Sequence, residues 1–531
     1  MKTETKQFKA EIGRMLDLVV NSLYSKKEIF LRELLSNASD AIDRAKYLGL
    51  VDKEILSDCP DWKITVSADK DKRLLSISDN GYGMDAADLE NNLGTIASSG
   101  TKKFMEAAAA KDGGNLPELI GKFGVGFYAA FMVADKVTVV SKKRGEDEAF
   151  SWESDGVGSY TISGADRDSY GTTITLHLRD GQDEYLDEWR VRDLVKSYSD
   201  FIAYPIFFEA AGKKDEEKKD EASAKPLNTM TALWKRAKKD VKKEEYDEFY
   251  KHLTHDFDEP LETIVFSGEG QVEFKALLFI PKSAGMDLYM PQTKRGLSLY
   301  VRNVFIGNDF DLLLPDYLRF VKGVVDSSDL PLNVSREMLQ DDQVISKIKS
   351  AVTSKILSVL EEMKSKEAYD AFYGVFGRVL KEGVHTDYVN ADRIKKLLKY
   401  PSAQSAAGKM IFLEDYVKKM PQEQKDIYYI CAEKEEDARC APQLEQAEKH
   451  GLDVLFFVDP VDEWLVDSFR EFEGKSLVDI ARGNIAFGSE SEQKAEKEAN
   501  EKASADLKPF SEATRQHGLS ARRLDTRTSE T

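Results

Sequence analysis

Cysteine is nearly absent from these 531 residues: Cys59, Cys431 and Cys440 are the only three. The last two are not in a C-x-x-C and have no histidine at ligand spacing, so neither a zinc site nor a disulfide framework is indicated. No run of about 18 apolar residues occurs. The N-terminus (MKTETKQFKAEIGRMLDLVV) lacks an apolar stretch followed by a cleavage site. Basic charge is in deficit as well, with 76 Lys and Arg against 95 Asp and Glu and a formal net charge of −19. An acidic chain gains no counterion-release energy from a phosphate backbone, so neither nucleic acid nor a membrane is an expected partner. These absences predict a soluble chain of a reducing, cytoplasmic compartment. The 41% of hydrophobic residues suffices for the cores of about three or four domains at this length.

What is present begins with Glu28 to Arg44, EIFLRELLSNASDAIDR. Ile29, Leu31, Leu35, Ala38 and Ile42 recur at helical spacing, with no Pro or Gly to interrupt them. At 100° per residue, Glu33, Asn37 and Asp40 fall within roughly 60° of one another, opposite Leu35 and Ile42. Two carboxylates and an amide on one stripe read either as a solvated face or as a polar site. Ahead of it, Phe8 to Leu23 has the pattern of a second amphipathic helix.

Two glycine-bearing turns follow. Trp62 to Ala68 and Arg73 to Ser78 alternate as half-buried strands do. The second runs into Asp79-Asn-Gly-Tyr-Gly-Met84, where Gly81 and Gly83 would let backbone approach a ligand and Asp79 would face a crevice. Gly121-Lys-Phe-Gly-Val-Gly-Phe-Tyr128 then leads into an apolar helix expected over Phe127 to Val133. Its exposed N–H groups suit a phosphate. No G-K-[ST] follows, and the glycine order is not that of a dinucleotide fingerprint. Between these turns, Gly94 to Gly121 is rich in small residues, as a mobile lid would be. Strands are expected again at Lys136 to Ser141 and Gly171 to Leu178.

E-x-x-x-N-x-x-D on a helix, D-x-G-x-G at a strand end and G-x-x-G-x-G before a helix occur in that order between Glu33 and Gly126. Together they resemble the nucleotide site of the GHKL superfamily of gyrases, 90-kDa heat-shock chaperones, sensor histidine kinases and mismatch-repair ATPases. Glu33-Leu-Leu-Ser-Asn-Ala-Ser-Asp-Ala41, Leu93-Gly-Thr-Ile-Ala97, Ser99-Gly-Thr-Lys102 and Ile120 to Tyr128 narrow this. They look like the heat shock protein 90 family in its bacterial, HtpG-like form, and the resemblance runs from about Phe8 to about residue 510.

The resemblance implies an α+β and α/β multidomain chain. An N-terminal GHKL α/β sandwich that binds ATP would occupy 1–210, a short charged linker 211–226, and a large middle α/β subdomain 227–340. Connecting helices at 341–405, a small middle α/β subdomain at 406–490 and the start of a C-terminal region at 491–531 would follow. It also implies ATP and Mg²⁺ as cofactors. Glu33 would polarise water as general base, and Asn37 would ligate Mg²⁺ through its amide oxygen, a hard neutral donor suited to that ion. Asp79 would accept from the adenine amino group, with Thr172 completing that end and Asp40 supporting the network. Gly83, Met84, Asn92 and Phe127 would line the pocket, and Gly121, Gly124, Val125 and Gly126 would cradle the phosphates. Ser98 departs from the family, which often carries Lys there.

Ala210 to Lys225 is charged and without larger aliphatics, hence a linker. Beyond it a helix is expected around Glu244 to His252, with strands at Glu262 to Phe266, Val272 to Ile280 and, as one run, Leu297 to Ile306. Asp329-Leu-Pro-Leu-Asn-Val-Ser-Arg-Glu-Met-Leu339 resembles the family's catalytic loop. It implies that Arg336 reaches the γ-phosphate as both catalytic and nucleotide-binding residue, with Gln340 supporting it. An Arg fork suits that contact better than Lys. Helices are expected over Gln343 to Glu382 and Ala391 to Tyr400, and strands at Ile427 to Cys431 and Asp453 to Val458. Asp462-Glu-Trp-Leu465 resembles the family's D-E-W element.

The implied function is an ATP-driven chaperone acting on unfolded or partly folded clients. The alternative is a nucleotide-gated client-binding protein with little turnover. A mismatch-repair ATPase would need a basic groove, and a histidine kinase a phosphoacceptor helix ahead of the ATPase domain, whereas all six histidines lie at 177 or later. From Ser511 to Thr531 only Leu519 and Leu524 are large aliphatics, so no buried helix is expected there. Relatives would continue into a dimerisation domain. The sequence therefore predicts a premature end and a monomer, with a native solvated tail as the alternative.

Overall fold

The computed structural model describes residues 26–51, 53–56, 61–96, 124–210, 225–270, 272–285, 288, 296–330, 343–422 and 424–482. The chain falls into two compact units, Met1–Ile356 and Leu357–Thr531. None of the described helices is long and apolar enough to cross a membrane.

The first unit opens with α1 (Ile29–Val51). Phe30, Leu34, Leu35 and Ile42 are fully buried, and so, almost, are the polar Arg32, Glu33, Ser36, Ser39 and Asp40. A helix buried on most of its circumference has no solvated stripe. The polar residues on it therefore need partners inside the domain. The helix packs on a seven-stranded sheet of order β5-β4-β3-β6-β2-β1-β7 among the described residues. Its strands are β1 (Ile64–Asp69), β2 (Leu74–Asp79), β3 (Ala134–Lys142), β4 (Ala149–Ser154), β5 (Thr161–Ala165), β6 (Gly171–Leu178) and β7 (Ile206–Ala210). All neighbours are antiparallel except β1 and β7, which run parallel. Two further helices, α2 (Ala86–Leu93) and α3 (Glu188–Tyr198), complete the layer.

Strand period fixes the position of the acid in this domain. Along β2, Leu75, Ile77 and Asp79 are buried, whereas Leu74, Ser76 and Ser78 are half-buried. With successive side chains on opposite faces, Asp79 ends the core-facing row. On the other face, Ser76 and Ser78 share hydroxyl hydrogen bonds with Thr175 and Thr173 across β6, at 3.0 and 2.8 Å.

After β7 the described chain resumes at Lys225 and returns to the same domain. The Leu227 amide donates to the Ile206 carbonyl at 2.7 Å, and its side chain joins the first core. The Asn228 side chain accepts from the Ile206 amide and donates to the carbonyls of Ile202 and Tyr204, each at 2.9 Å.

The next layer carries α4 (Lys243–Thr254) against the sheet β11-β10-β12-β9-β8. These strands are β8 (Glu262–Gly268), β9 (Phe274–Ile280), β10 (Leu297–Val301), β11 (Val304–Phe310) and β12 (Lys322–Ser327). The single run expected over Leu297 to Ile306 is thus a hairpin. Arg302 and Asn303 both have left-handed backbones, with φ of 54° and 66°, and a two-residue loop with both φ positive turns β10 back antiparallel as β11.

Three helical expectations are refined. The apolar run after the glycine loop is a 3₁₀ helix, Gly126–Met132, in which Phe127 to Met132 are all buried. A run without a polar face carries no 3.6-residue period to specify an α-helix. The helical stretch expected from Gln343 to Glu382 is two helices, α5 (Gln343–Met363) and α6 (Glu367–Lys381). The one expected to reach Tyr400 ends at Lys395, before strand β13 (Lys399–Pro401).

In the second unit β13 pairs antiparallel with β14 (Met410–Phe412). A four-stranded sheet of order β16-β15-β18-β17 follows, built from β15 (Ile427–Cys431), β16 (Leu455–Phe457), β17 (Glu471–Phe472) and β18 (Lys475–Asp479). Asp462 of the D-E-W element is fully buried. It accepts from the buried Lys381 ammonium at 2.9 Å, which also reaches Asp459 at 2.8 Å.

Candidate nucleotide site

One wall of the site is built by the end of β2 and the turn after it. The Asp79 carboxylate is buried, and its Oδ1 accepts from the Gly81 amide at 2.8 Å. Burial pushes its pKa up to about 6. The Gly81 N–H, Arg167, the Thr172 backbone and Arg144 oppose that rise. Desolvation disfavours the charged form, while donors and cations favour it. Asp79 is therefore poised to be ionised at neutral pH and to protonate in mild acid.

The turn presses closely on its surroundings. A Cβ on Gly81 would lie 2.6 Å from the Ala41 carbonyl carbon of α1. Gly83 has φ of +74°, and a Cβ there would lie 2.0 Å from the Lys142 carbonyl oxygen. Only glycine meets both demands. Met84 donates its amide to Ser141 Oγ at 2.8 Å, and Ser141 shares a second hydrogen bond, also 2.8 Å, with Thr172 Oγ1. Thr172 stands opposite Asp79 in the β2–β6 register. Asp79, Gly83, Met84 and Thr172 are thus brought together by one hydrogen-bonded wall.

The other wall is α1 against the glycine loop. A Cβ on Gly126 would fall 2.6 Å from Glu33 Oε2. Backbone and carboxylate share this space because the loop has no side chain at that position. Gly124 has φ of +67°, and Val125 is buried. Phe127 packs edge-on against Trp152, with ring centroids 5.4 Å apart. The Tyr128 hydroxyl donates to the Leu93 carbonyl at 2.8 Å, which ties α2, with the half-buried Asn92, to the same loop. Asn37 is half-buried and Asp40 buried on the α1 stripe. Gly121, Arg336 and Gln340 lie outside the described residues, as do Ser98 and most of the lid segment.

A family model described as "Hsp90 protein" matches residues 208–520. A second, "Histidine kinase-, DNA gyrase B-, and HSP90-like ATPase", matches residues 24–175. The chain belongs to the Hsp90 family. It is 48% identical over 518 residues to a protein named "Chaperone protein HtpG" from Geobacter sulfurreducens, covering 95% of this chain and 80% of that one. Proteins of the same name from Coxiella burnetii and Pectobacterium atrosepticum are 45% and 44% identical, covering 94% and 96% of this chain and 80% and 82% of theirs. The segment carrying both walls of the site lies within the match to the Hsp90-like ATPase model.

Three polar residues of this Hsp90 site were not anticipated from sequence. Ser141 joins Met84 to Thr172, as described above. Arg167 donates from Nη1 to Thr173 Oγ1 at 2.5 Å and from Nη2 to the Asp79 carbonyl at 3.4 Å. Arg32 holds Glu33 Oε1 from Nε and Nη2, at 3.2 and 2.9 Å, and donates from Nη1 to the carbonyl of Phe305 in β11 at 3.2 Å. Neighbours at i and i+1 on a helix point to different sides, so nothing in the local pattern marks Arg32 as the partner of Glu33. An arginine on a helix otherwise buried is the sole signal.

Proposed function

We propose that this chain is an ATP-dependent molecular chaperone that binds and remodels unfolded or partly folded client proteins, hydrolysing ATP in its first domain. The observation that carries the reading is the closeness of Gly126 to Glu33, where a Cβ would fall 2.6 Å from Oε2, so that a carboxylate stands beside glycine backbone of the kind that cradles phosphates. The residues fit the nucleotide. Asp79 offers a buried anionic acceptor, the Gly83 and Gly126 positions admit no side chain, and Ser141 links Met84 to Thr172 beside Asp79.

Asp79, ionised at neutral pH, accepts the hydrogen bond of the adenine amino group. Gly124, Val125 and Gly126, continuing from Gly121, donate backbone N–H groups to phosphate oxygens, and Asn92, Met84 and Phe127 enclose the base and sugar. Asn37 offers its amide oxygen to Mg²⁺, which supplies charge neutralisation on the phosphates when bound. Glu33 orients a water and takes its proton, the work of a positioned general base, while Asp40 supports the polar network behind it. Arg336, with Gln340 beside it, meets the charge that develops at the γ-phosphate.

Glu33→Ala tests the reading. Calorimetric affinity for ATP should stay within a few-fold, while phosphate release falls by roughly 10²-fold. Equal turnover in the two proteins removes Glu33 from the mechanism. Arg336→Ala should likewise lower turnover, with little effect on the nucleotide binding that the first domain supplies by itself. The Arg32 grip on Glu33 supports a second reading, in which nucleotide gates client binding with little turnover. A wild-type chain that binds ATP but releases no phosphate would favour it.

A further inference from the structure

The segment following β3 sends one arginine into the turn after Asp79. Arg144 is only 4% exposed. Its Nη2 donates to the Asn80 carbonyl at 2.8 Å, its Nε to the Gly81 carbonyl at 2.9 Å and its Nη1 to the Ile55 carbonyl at 3.1 Å. Its own amide donates to the Tyr82 carbonyl at 2.9 Å. The guanidinium carbon lies 5.1 Å from the Trp62 ring centroid and 5.3 Å from that of Tyr170. A planar cation held by two rings and three carbonyls has little freedom left.

The bonds run through the peptide groups in a particular order. The Asn80 carbonyl and the Gly81 amide belong to one peptide plane. Arg144 holds its oxygen, and Asp79 Oδ1 accepts from its N–H at 2.8 Å. The next plane joins the Gly81 carbonyl, also held by Arg144, to the Tyr82 amide, which donates to the Ala41 carbonyl of α1 at 3.0 Å. One guanidinium therefore sets two successive peptide planes. The first polarises toward the carboxylate, since hydrogen bonds in a chain strengthen one another at low dielectric.

We infer that Arg144 is a positioning residue for adenine recognition, fixing the Asp79 carboxylate through the Asn80–Gly81 peptide without touching the nucleotide. The inference rests on the reading of Asp79 as the adenine acceptor. Two cations bear on that carboxylate, Arg144 from the end of β3 and Arg167 from the segment before β6. Removing either should make Asp79 protonate at higher pH.

The test is ADP binding to the full chain by calorimetry from pH 5 to 8, for wild type, Arg144→Met and Arg144→Lys. Wild type should lose affinity as pH falls through about 6. Arg144→Met should bind at least tenfold more weakly at pH 7.5, with its loss of affinity beginning at higher pH. Arg144→Lys should restore the pH profile and not the affinity, because an ammonium keeps the charge and lacks the fork that spans two carbonyls. If Arg144→Met does not fold, Tyr170→Leu, which removes one stacking ring and keeps the fork, should shift affinity and profile in the same directions. Affinity within twofold of wild type overturns the inference, and so does weaker binding with an unchanged pH profile. A wild-type chain that binds no ADP would sink the nucleotide reading itself, a different failure from variants that bind as wild type does.

Discussion

Arg32 and Glu33, adjacent in sequence and both nearly inaccessible to solvent, form an ion pair inside the first domain at 2.9 Å. The same guanidinium holds the carbonyl of Phe305 in the neighbouring layer. Tyr198 of α3 meets the Phe305 ring edge-on with centroids 5.7 Å apart. The proposed base and the sheet beyond it thus share one side chain, and a displacement of β11 changes what holds Glu33.

Arg32→Ala should destabilise the first domain by about 3–5 kcal/mol, the cost of leaving a buried charge without its partner. Arg32→Ala with Glu33→Ala should cost less than the two changes summed, with a coupling of roughly 1–3 kcal/mol. Urea unfolding of the four proteins measures it, and additive effects would show the pair to be energetically independent.

Asp79→Asn should abolish detectable ATP binding and yet stabilise the free protein at neutral pH. Burial pushes the folded carboxyl up to about 6, from an ordinary value of 3.8. The unfolded state therefore loses its proton first, and folding grows less favourable as pH rises from about 4 to 6. Above that window the penalty is complete, on the order of 3 kcal/mol. An uncharged amide avoids it. The melting temperature of Asp79→Asn should exceed that of wild type at pH 7.5 and match it near pH 4.

Gly126→Ala should separate binding from turnover. The new methyl group meets Glu33 Oε2 at 2.6 Å, and the carboxylate cannot yield without leaving Arg32. Overpacking of this kind costs about 1–3 kcal/mol. Phosphate release should fall at least tenfold, on the order of 1.4 kcal/mol, and by a larger factor than ADP affinity does. Unchanged turnover would show that Glu33 has room to move.

In the second unit, Lys381→Met should leave the Asp462 carboxylate buried with its ammonium partner gone and cost about 3–5 kcal/mol. Pairing it with Asp462→Leu should recover much of that loss, because two apolar side chains replace two desolvated charges. Differential scanning calorimetry would follow both. A double variant no more stable than Lys381→Met would mean that Asp462 serves the fold through other contacts.

Locally, Asp79 and Glu33 were no more than candidates, one ending an alternating strand before D-x-G-x-G and the other on a helical stripe that could equally be solvated; it was the ordered set of three motifs that singled them out. The glycines were legible by type, although which carbonyl or carboxylate each one clears is a matter of packing. Arg32, Ser141 and Arg144 gave no such notice, since their partners are backbone groups or side chains brought near only by the fold. The β10–β11 hairpin was missed for a related reason. Its two left-handed residues are Arg302 and Asn303, with no glycine to mark the turn, and the apolar alternation continues across it.

The charged stretch after β7 was read as the connection between two domains. Ala210 ends β7, yet Leu227 bonds back to Ile206 of that strand and Asn228 clasps the same turn of chain. Departure and return are moored on one shore. The described chain therefore re-enters the first domain at Leu227 and Asn228 before it leaves for the next one. The reach from there is set by the few residues between Asn228 and Trp234, whose ring is clamped against Phe201 at 4.7 Å.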